Sequence, residues 1–282
     1  MAYAAGGAGT RPADRRLCGT GQVPAHRGGR GGYGEMVSPM NGSTAALAVT
    51  GAALVAAGAH IGPAATWLPG VRGALAPVLD GRGDGDRVAL TFDDGPDPGS
   101  TPHFLRALDE LSVRATFFVL GSRLAQHPGL GRRMAAEGHE LAVHGWHHER
   151  PWYPRPSRDV RDLARTADLV TEICGERPLW YRPAYGILTG GRWYAARANA
   201  LRPVLWTSWG RDWTAEATPG SVRAELGRTL RGGATVLLHD TDAMSAPGSW
   251  RAALGALGPV VADCRARGLS VGRLRDHGLP PR

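Results

Sequence analysis

"VALTFDDGPDP", residues 88–98, starts as an apolar run and ends in turn residues, with two aspartates where one becomes the other. Asp-Gly and Asp-Pro favour turns through side-chain hydrogen bonds and the freedom of glycine, which is enough to explain a lone "DG". The five residues before Asp93 change that reading. Val88, Ala89, Leu90, Thr91 and Phe92 form the nearly continuous apolar pattern of a strand covered on both faces, as in parallel sheets flanked by helices. Asp93 and Asp94 then stand at the carboxyl end of a buried strand, the edge where α/β architectures gather ligands and catalytic groups.

Downstream, apolar runs at 115–120, 140–143, 179–182, 203–208, 235–238 and 269–272 alternate with amphipathic stretches at 101–111, 124–137, 157–174, 221–230 and 249–267. Seven strands alternating with helices predict an α/β fold around a parallel sheet, closed as a barrel or open and doubly wound. No dinucleotide fingerprint follows the first strand, so a nucleotide site is unsupported.

The remaining strand ends carry partners for two carboxylates. After the third, "AVHGWHHER" sets His144 and His148 four residues apart, a spacing that brings both imidazoles to one side; surface histidines do the same without function. Joined by an aspartate from another strand, they form a two-His, one-carboxylate set that leaves positions open for water and substrate. His147 points elsewhere in either geometry. The fourth strand ends in "WYRPAYG" (180–186), which offers Arg182 as a permanently charged fork and a turn whose N–H groups can face an oxyanion. "WTSWGRDW" (206–213) supplies three tryptophans suited to stacking on sugars, although tryptophans of this kind also serve as core. "TVLLHD" (235–240) ends at His239, well placed for general acid work if a carboxylate orients it.

Taken in order, "TFDDG", "HGWHH", "RPAYG", "RDW" and "LLHD" resemble the five motifs of the polysaccharide deacetylase family, carbohydrate esterase family four, whose catalytic unit is the NodB homology domain. The resemblance covers residues 87–274, and nothing in the first 80 residues takes part. It implies a distorted (β/α) barrel, often of seven parallel strands, in a hydrolase that removes acetyl groups from N-acetylated, or O-acetylated, sugars of a peptidoglycan or chitin-like glycan. It further implies that Asp94, His144 and His148 hold a divalent metal, zinc first, with cobalt, nickel or manganese as alternatives. Asp93 is then the general base, Arg182 positions it, and the Tyr185 N–H helps bind the oxyanion. Asp212 tunes His239 as the acid, and Trp213 and Leu237 line the acetyl pocket. Two residues depart from the family pattern. Gly145 stands where Ser or Thr is common, and Trp209 where the fourth motif often begins with Asp. Adjacency of Asp93 and Asp94 lets one strand end deliver both a permanently ionised ligand and a proton acceptor.

The rest of the chain bounds these readings. Its 282 residues, 43% hydrophobic, suit one main domain with an extension. All 33 basic residues are Arg, and the net charge of +8 is spread without a basic block, so nucleic-acid binding is not expected. Residues 1–43 read as a disordered Arg- and Gly-rich tail, within which Met36 or Met40 is an alternative translation start. Residues 44–68 carry no charge and read as a signal or membrane anchor, against an Ala-rich helix packed on the domain. Residues 69–86 read as a linker and 87–276 as the catalytic domain, monomeric and extracytoplasmic, either anchored or secreted. Cys18, Cys174 and Cys264 have no metal spacing; a bridge between the last two is open, and small buried hydrophobes are the alternative. Two further functions stay open: a hydrolase of another C–N amide on the same scaffold, and a silent carbohydrate-binding domain.

Overall fold

The computed structural model describes residues 42–279; the stretch expected as a disordered tail, Cys18 included, lies almost wholly outside the described residues. The chain divides into Met1–Ala46, of which only the start of a helix is described, and Leu47–Arg282, which holds the sheet. In order, the elements are α1 (Gly42–Ile61), α2 (Pro69–Leu75), β1 (Arg87–Asp93), α3 (Thr101–Glu110), β2 (Thr116–Leu120), α4 (Gly121–Gln126), α5 (Pro128–Ala136), β3 (Glu140–Gly145) and α6 (Pro156–Cys174). There follow β4 (Trp180–Tyr181), α7 (Gly190–Ala198), β5 (Arg202–Pro203), β6 (Ser208–Trp209), α8 (Pro219–Thr229), β7 (Ala234–His239), α9 (Trp250–Ala266) and β8 (Ser270–Gly272).

All strand pairs are parallel, in the order β5-β4-β3-β2-β1-β7-β6, with β8 beside the amino-terminal half of β1. The seven-strand path curls into the expected distorted (β/α) barrel. Pleating assigns alternate residues of β1 to opposite faces. Val88, Leu90 and Phe92 face the helices, where Phe92 packs edge-on against Phe104 at 5.2 Å and stacks on Phe117 at 5.0 Å. Ala89 faces inward with Phe118, Ala142, Trp180 and Val204. Thr91 and Asp93 continue that inward row.

The sequence predicts one strand at 203–208. The structure divides it into β5 and β6, which lie at opposite edges of the sheet. Residues 204–207 run between those edges and close the barrel without a strand pair. The Leu205 N–H donates to the Leu79 carbonyl (2.7 Å) and the Thr207 N–H to that of Thr235 (3.0 Å), while Arg182 Nη2 donates to the Leu205 carbonyl (2.8 Å). Two helical readings also change. The predicted helix at 124–137 breaks at His127, because Pro128 lacks an N–H to continue α4 and instead opens α5. α7 has no counterpart among the predicted helices, since its "GGRW" start masks the period; Thr189 caps it by accepting from the Arg192 N–H.

Residues 69–86, read as a linker, stay largely exposed but are tied to the fold at a few points. Arg72, Leu79 and Asp80 are buried, and the Gly81 carbonyl accepts from Thr235 Oγ1 at 2.6 Å. α1 keeps Leu47, Val49, Leu54 and Val55 exposed and is the one helix among the described residues long and apolar enough to cross a membrane. Its last turn meets the barrel at His60, whose Nε2 lies 3.2 Å from the Pro151 carbonyl. Cys174 and Cys264 are both free thiols, the latter within the apolar core.

Candidate active site

Parallel register brings the candidate residues together. Asp93 is the direct partner of His239 across β1 and β7, and Val143, just before His144, pairs with Tyr181, just before Arg182. Four strand ends therefore deliver their side chains to one edge of the barrel. They line a cavity of about 380 Å³ with Asp93, Asp94, His144, His148, Tyr185, Trp213, Leu237 and His239 in its wall.

Arg182 is fully buried inside the barrel, its guanidinium 4.0 Å over the Phe118 ring. Nη1 donates to Asp93 Oδ1 at 2.8 Å and to Thr91 Oγ1 at 2.7 Å. A buried cation is costly unless paired, and here one fork fixes the strand-end carboxylate and, through the Leu205 carbonyl, the closing segment of the barrel.

Asp94 sits in a left-handed conformation (φ 78°), a strained setting for a residue other than glycine. That twist turns its carboxylate away from the inward row toward the two histidines. Oδ1 lies 3.2 Å from His144 Nε2 and 3.5 Å from His148 Nε2, and it is buried without a hydrogen bond. Burial works against ionisation of Asp94, but contact with His144 and the charges of His239 and His148 override it, holding the carboxyl well below the usual range. His144 Nδ1 is 2.9 Å from the Arg182 carbonyl, which can only accept, so Nδ1 donates there and Nε2 is the ring atom turned toward Asp94. Burial, with repulsion from His144 and His239, lowers the His148 pKa to about 4, against the pull of Asp94 and Asp93. An ionised Asp94 and a neutral His148 have the protonation states that a metal requires of them. The three ligand atoms lie within 4.8 Å of one another, and an orphaned carboxylate oxygen between two imidazole nitrogens fits a divalent cation. His147 is exposed and points away.

His239 receives two contacts from the buried Asp212. Its backbone N–H donates to Oδ2 (2.7 Å), and Nδ1 lies 3.0 Å from Oδ1. Burial opposes the imidazolium, yet Asp212, aided by Asp94 and Asp93, pushes the pKa up to about 10. Nε2 faces the cavity 4.0 Å from Asp94 Oδ2.

The family departures have structural answers. Gly145 adopts φ 126°, which suits glycine, and its carbonyl accepts from Thr166 Oγ1 at 3.3 Å, so a hydroxyl from α6 steadies the loop. Trp209 stacks on Trp213 (4.4 Å, 18°) and lies 5.3 Å from Trp206, extending the aromatic wall. Tyr185 takes φ 60° and packs edge-on against His148 at 4.3 Å. Sequence reasoning passed over Met244, Ser245 and, against the expectation that the first 80 residues stay apart, Trp67, all of which line the cavity. No period or motif marks them.

A family model described as "Polysaccharide deacetylase" matches residues 80–204. The chain is 37% identical over 163 residues to a chitooligosaccharide deacetylase of Rhizobium leguminosarum bv. trifolii, covering 57% of this chain and 75% of that one. It is 35% identical over 154 residues to a peptidoglycan-N-acetylglucosamine deacetylase of Listeria monocytogenes, covering 55% of this chain but 32% of that longer protein. Among solved structures it is similar to a family 4 acetyl xylan esterase from Clostridium thermocellum in complex with a cobalt ion, with TM-score 0.60, 28% identity, and 67% and 88% of the two chains covered. Likeness over three quarters of a curated relative, on a barrel whose strand ends assemble the five segments, means that this chain belongs to the polysaccharide deacetylase family.

Proposed function

We propose that the protein hydrolyses the acetamide of N-acetylated sugars, with O-acetyl groups as a secondary target, in a peptidoglycan or chitin-like glycan. The observation that carries this reading is the pairing, across one cavity, of an Arg182-held Asp93 with an Asp212-held His239, beside Asp94, His144 and His148. The relatives are named for action on chitooligosaccharide and peptidoglycan, which supports the same substrate class.

A divalent cation on Asp94, His144 and His148, zinc by preference for two imidazoles and a carboxylate, would supply Lewis acidity toward the acetyl carbonyl and water. Cobalt, nickel and manganese suit the same donors less selectively. Asp93 takes a proton from the attacking water as its oxygen bonds to the acetyl carbon. Arg182 keeps that carboxylate aimed into the cavity. The Tyr185 N–H receives the charge that develops on the carbonyl oxygen. As the C–N bond breaks, His239, protonated at neutral pH, delivers its Nε2 proton to the departing nitrogen, and acetate and the free amine leave. Trp213 and Leu237 enclose the acetyl methyl. The silent-domain alternative is disfavoured by the retention of both Asp93 and His239 with their orienting partners.

The exposed apolar helix supports an extracytoplasmic enzyme in which the stretch 44–68 acts as an anchor, through its helical part α1, ahead of a catalytic domain at 87–276. Acetate release from N- and O-acetylated glycans, with and without chelator, tests the activity. Absence of release from every glycan in the metal-loaded protein overturns it.

A further inference from the structure

We propose that Trp67 is a sugar-stacking wall of the substrate cleft and that Arg72 is the residue that positions it. The inference rests on the glycan deacetylase reading and extends the site into a segment that precedes the family-matched region, which begins at residue 80.

Trp67 lines the same cavity as Asp93, His148 and His239, yet it is 43% exposed, so it does not serve as core filling. It ends a short helical turn, Gly62–Trp67, fixed by Thr66 Oγ1 donating to the Pro63 carbonyl (2.7 Å) and the Leu68 N–H donating to Ala65 (3.0 Å). Gly186 makes the approach possible. A Cβ there would lie 3.4 Å from Trp67 Cδ1 and 2.5 Å from Trp206 Cη2, so two indoles converge on a residue that has no side chain.

Arg72 is what ties that turn to the barrel. Only 4% exposed, it contacts Asp80 Oδ1 through Nε at 2.5 Å. Nη1 donates to the carbonyls of Thr66 (3.0 Å) and Trp67 (3.4 Å), and Nη2 to that of Trp206 (3.0 Å). One planar fork thus bolts the backbone of Trp67 to that of Trp206. Its counter-ion, Asp80, follows Leu79, whose carbonyl receives the Leu205 N–H of the barrel-closing segment. A buried guanidinium spent on three carbonyls that flank two cavity tryptophans is a positioning device. An exposed indole face beside a site for acetylated sugar offers the apolar surface on which a pyranose ring stacks.

The test is steady-state acetate release from a tetramer of N-acetylglucosamine by the metal-loaded full chain. Trp67→Ala is expected to raise KM about tenfold, the size of one aromatic contact, with kcat held within about twofold; Trp67→Phe recovers part of the loss. Arg72→Lys, which cannot span three carbonyls, raises KM similarly, and Trp67→Ala/Arg72→Lys is no worse in KM than the worse single variant. A merely structural Arg72 instead lowers kcat and melting temperature and adds to the effect of Trp67→Ala. A KM for Trp67→Ala within twofold of the parent overturns the proposal. If that variant instead loses affinity for anionic phospholipid vesicles, the indole belongs to a membrane interface and the proposal fails. Should the parent release no acetate, the functional reading falls first, and calorimetric titration with the tetramer still decides the wall. Equal affinity in parent and Trp67→Ala, or none in either, overturns it.

Discussion

Replacing Arg182 by Met removes the guanidinium that holds Asp93, and the structure sets the size of the loss. Both side chains are almost completely buried, 0% and 5% exposed, and meet at 2.8 Å. Deleting one member of such a pair costs about 3–5 kcal/mol, because the other charge stays buried. Arg182 also satisfies the Leu205 carbonyl and the Thr91 hydroxyl, and an orphaned carbonyl adds about 1–3 kcal/mol. The sum, about 4–8 kcal/mol, approaches the whole stability of a typical domain, about 5–15 kcal/mol. Arg182→Met should therefore be marginal or unfolded. Asp93→Asn removes the opposing charge, so the Arg182→Met/Asp93→Asn protein should be more stable than the sum of the two single losses by at least about 2 kcal/mol. Urea unfolding followed by the fluorescence of the nine tryptophans measures this directly. If Arg182→Met does not fold, recovery of folded protein in the double variant is the same result. Losses that add within about 0.5 kcal/mol would refute the view that the pair organises this end of the barrel.

Alanine at Asp94, His144 or His148 should remove bound metal and acetate release together, and metal analysis of a variant that keeps full stoichiometry would dismiss that ligand. Because Asp212, with Asp94 and Asp93, overrides burial and raises the pKa of His239 from 6.5 to about 10, Asp212→Asn should move the alkaline limb of kcat/KM to lower pH. The sign carries into stability: the His239–Asp212 contribution is complete below pH 6.5 and lost as pH rises through about 10, so the stability gap between parent and Asp212→Asn should close across that window. A gap independent of pH would mean that His239 is not charged in the folded protein. Gly186→Ala meets both a left-handed φ of 66° and the Trp206 ring, so it should destabilise by at least about 1–2 kcal/mol from the backbone alone and raise KM; thermal melting and glycan kinetics check it.

The sequence by itself determined the parts of this protein that local chemistry dictates. The apolar run at 88–92, closed by turn residues, reads as a doubly covered strand, and a two-residue pleat then fixes which of its residues look inward. His144 and His148, four apart at another strand end, and the "RPAYG" and "LLHD" turns announced the rest of the set, because parallel strands deliver their carboxyl ends to a common edge. What the sequence left undecided depends on residues far apart in the chain. The apolar run at 203–208 reads as one strand, and only the curl of the sheet, which sets its two edges a few residues apart, makes it a bridge between them. Cys174 and Cys264 could pair or stay apart on paper, and packing leaves both as thiols. Residues 69–86 have the composition of a linker because Arg72, Asp80 and Gly81 are polar or small. The burial of these three follows from partners at Trp206 and Thr235, more than 130 positions away. Trp67 joins the cleft for the same reason: no period in the chain encodes a buried guanidinium that ties the nearby carbonyls of Thr66 and Trp67 to that of Trp206, 134 positions away.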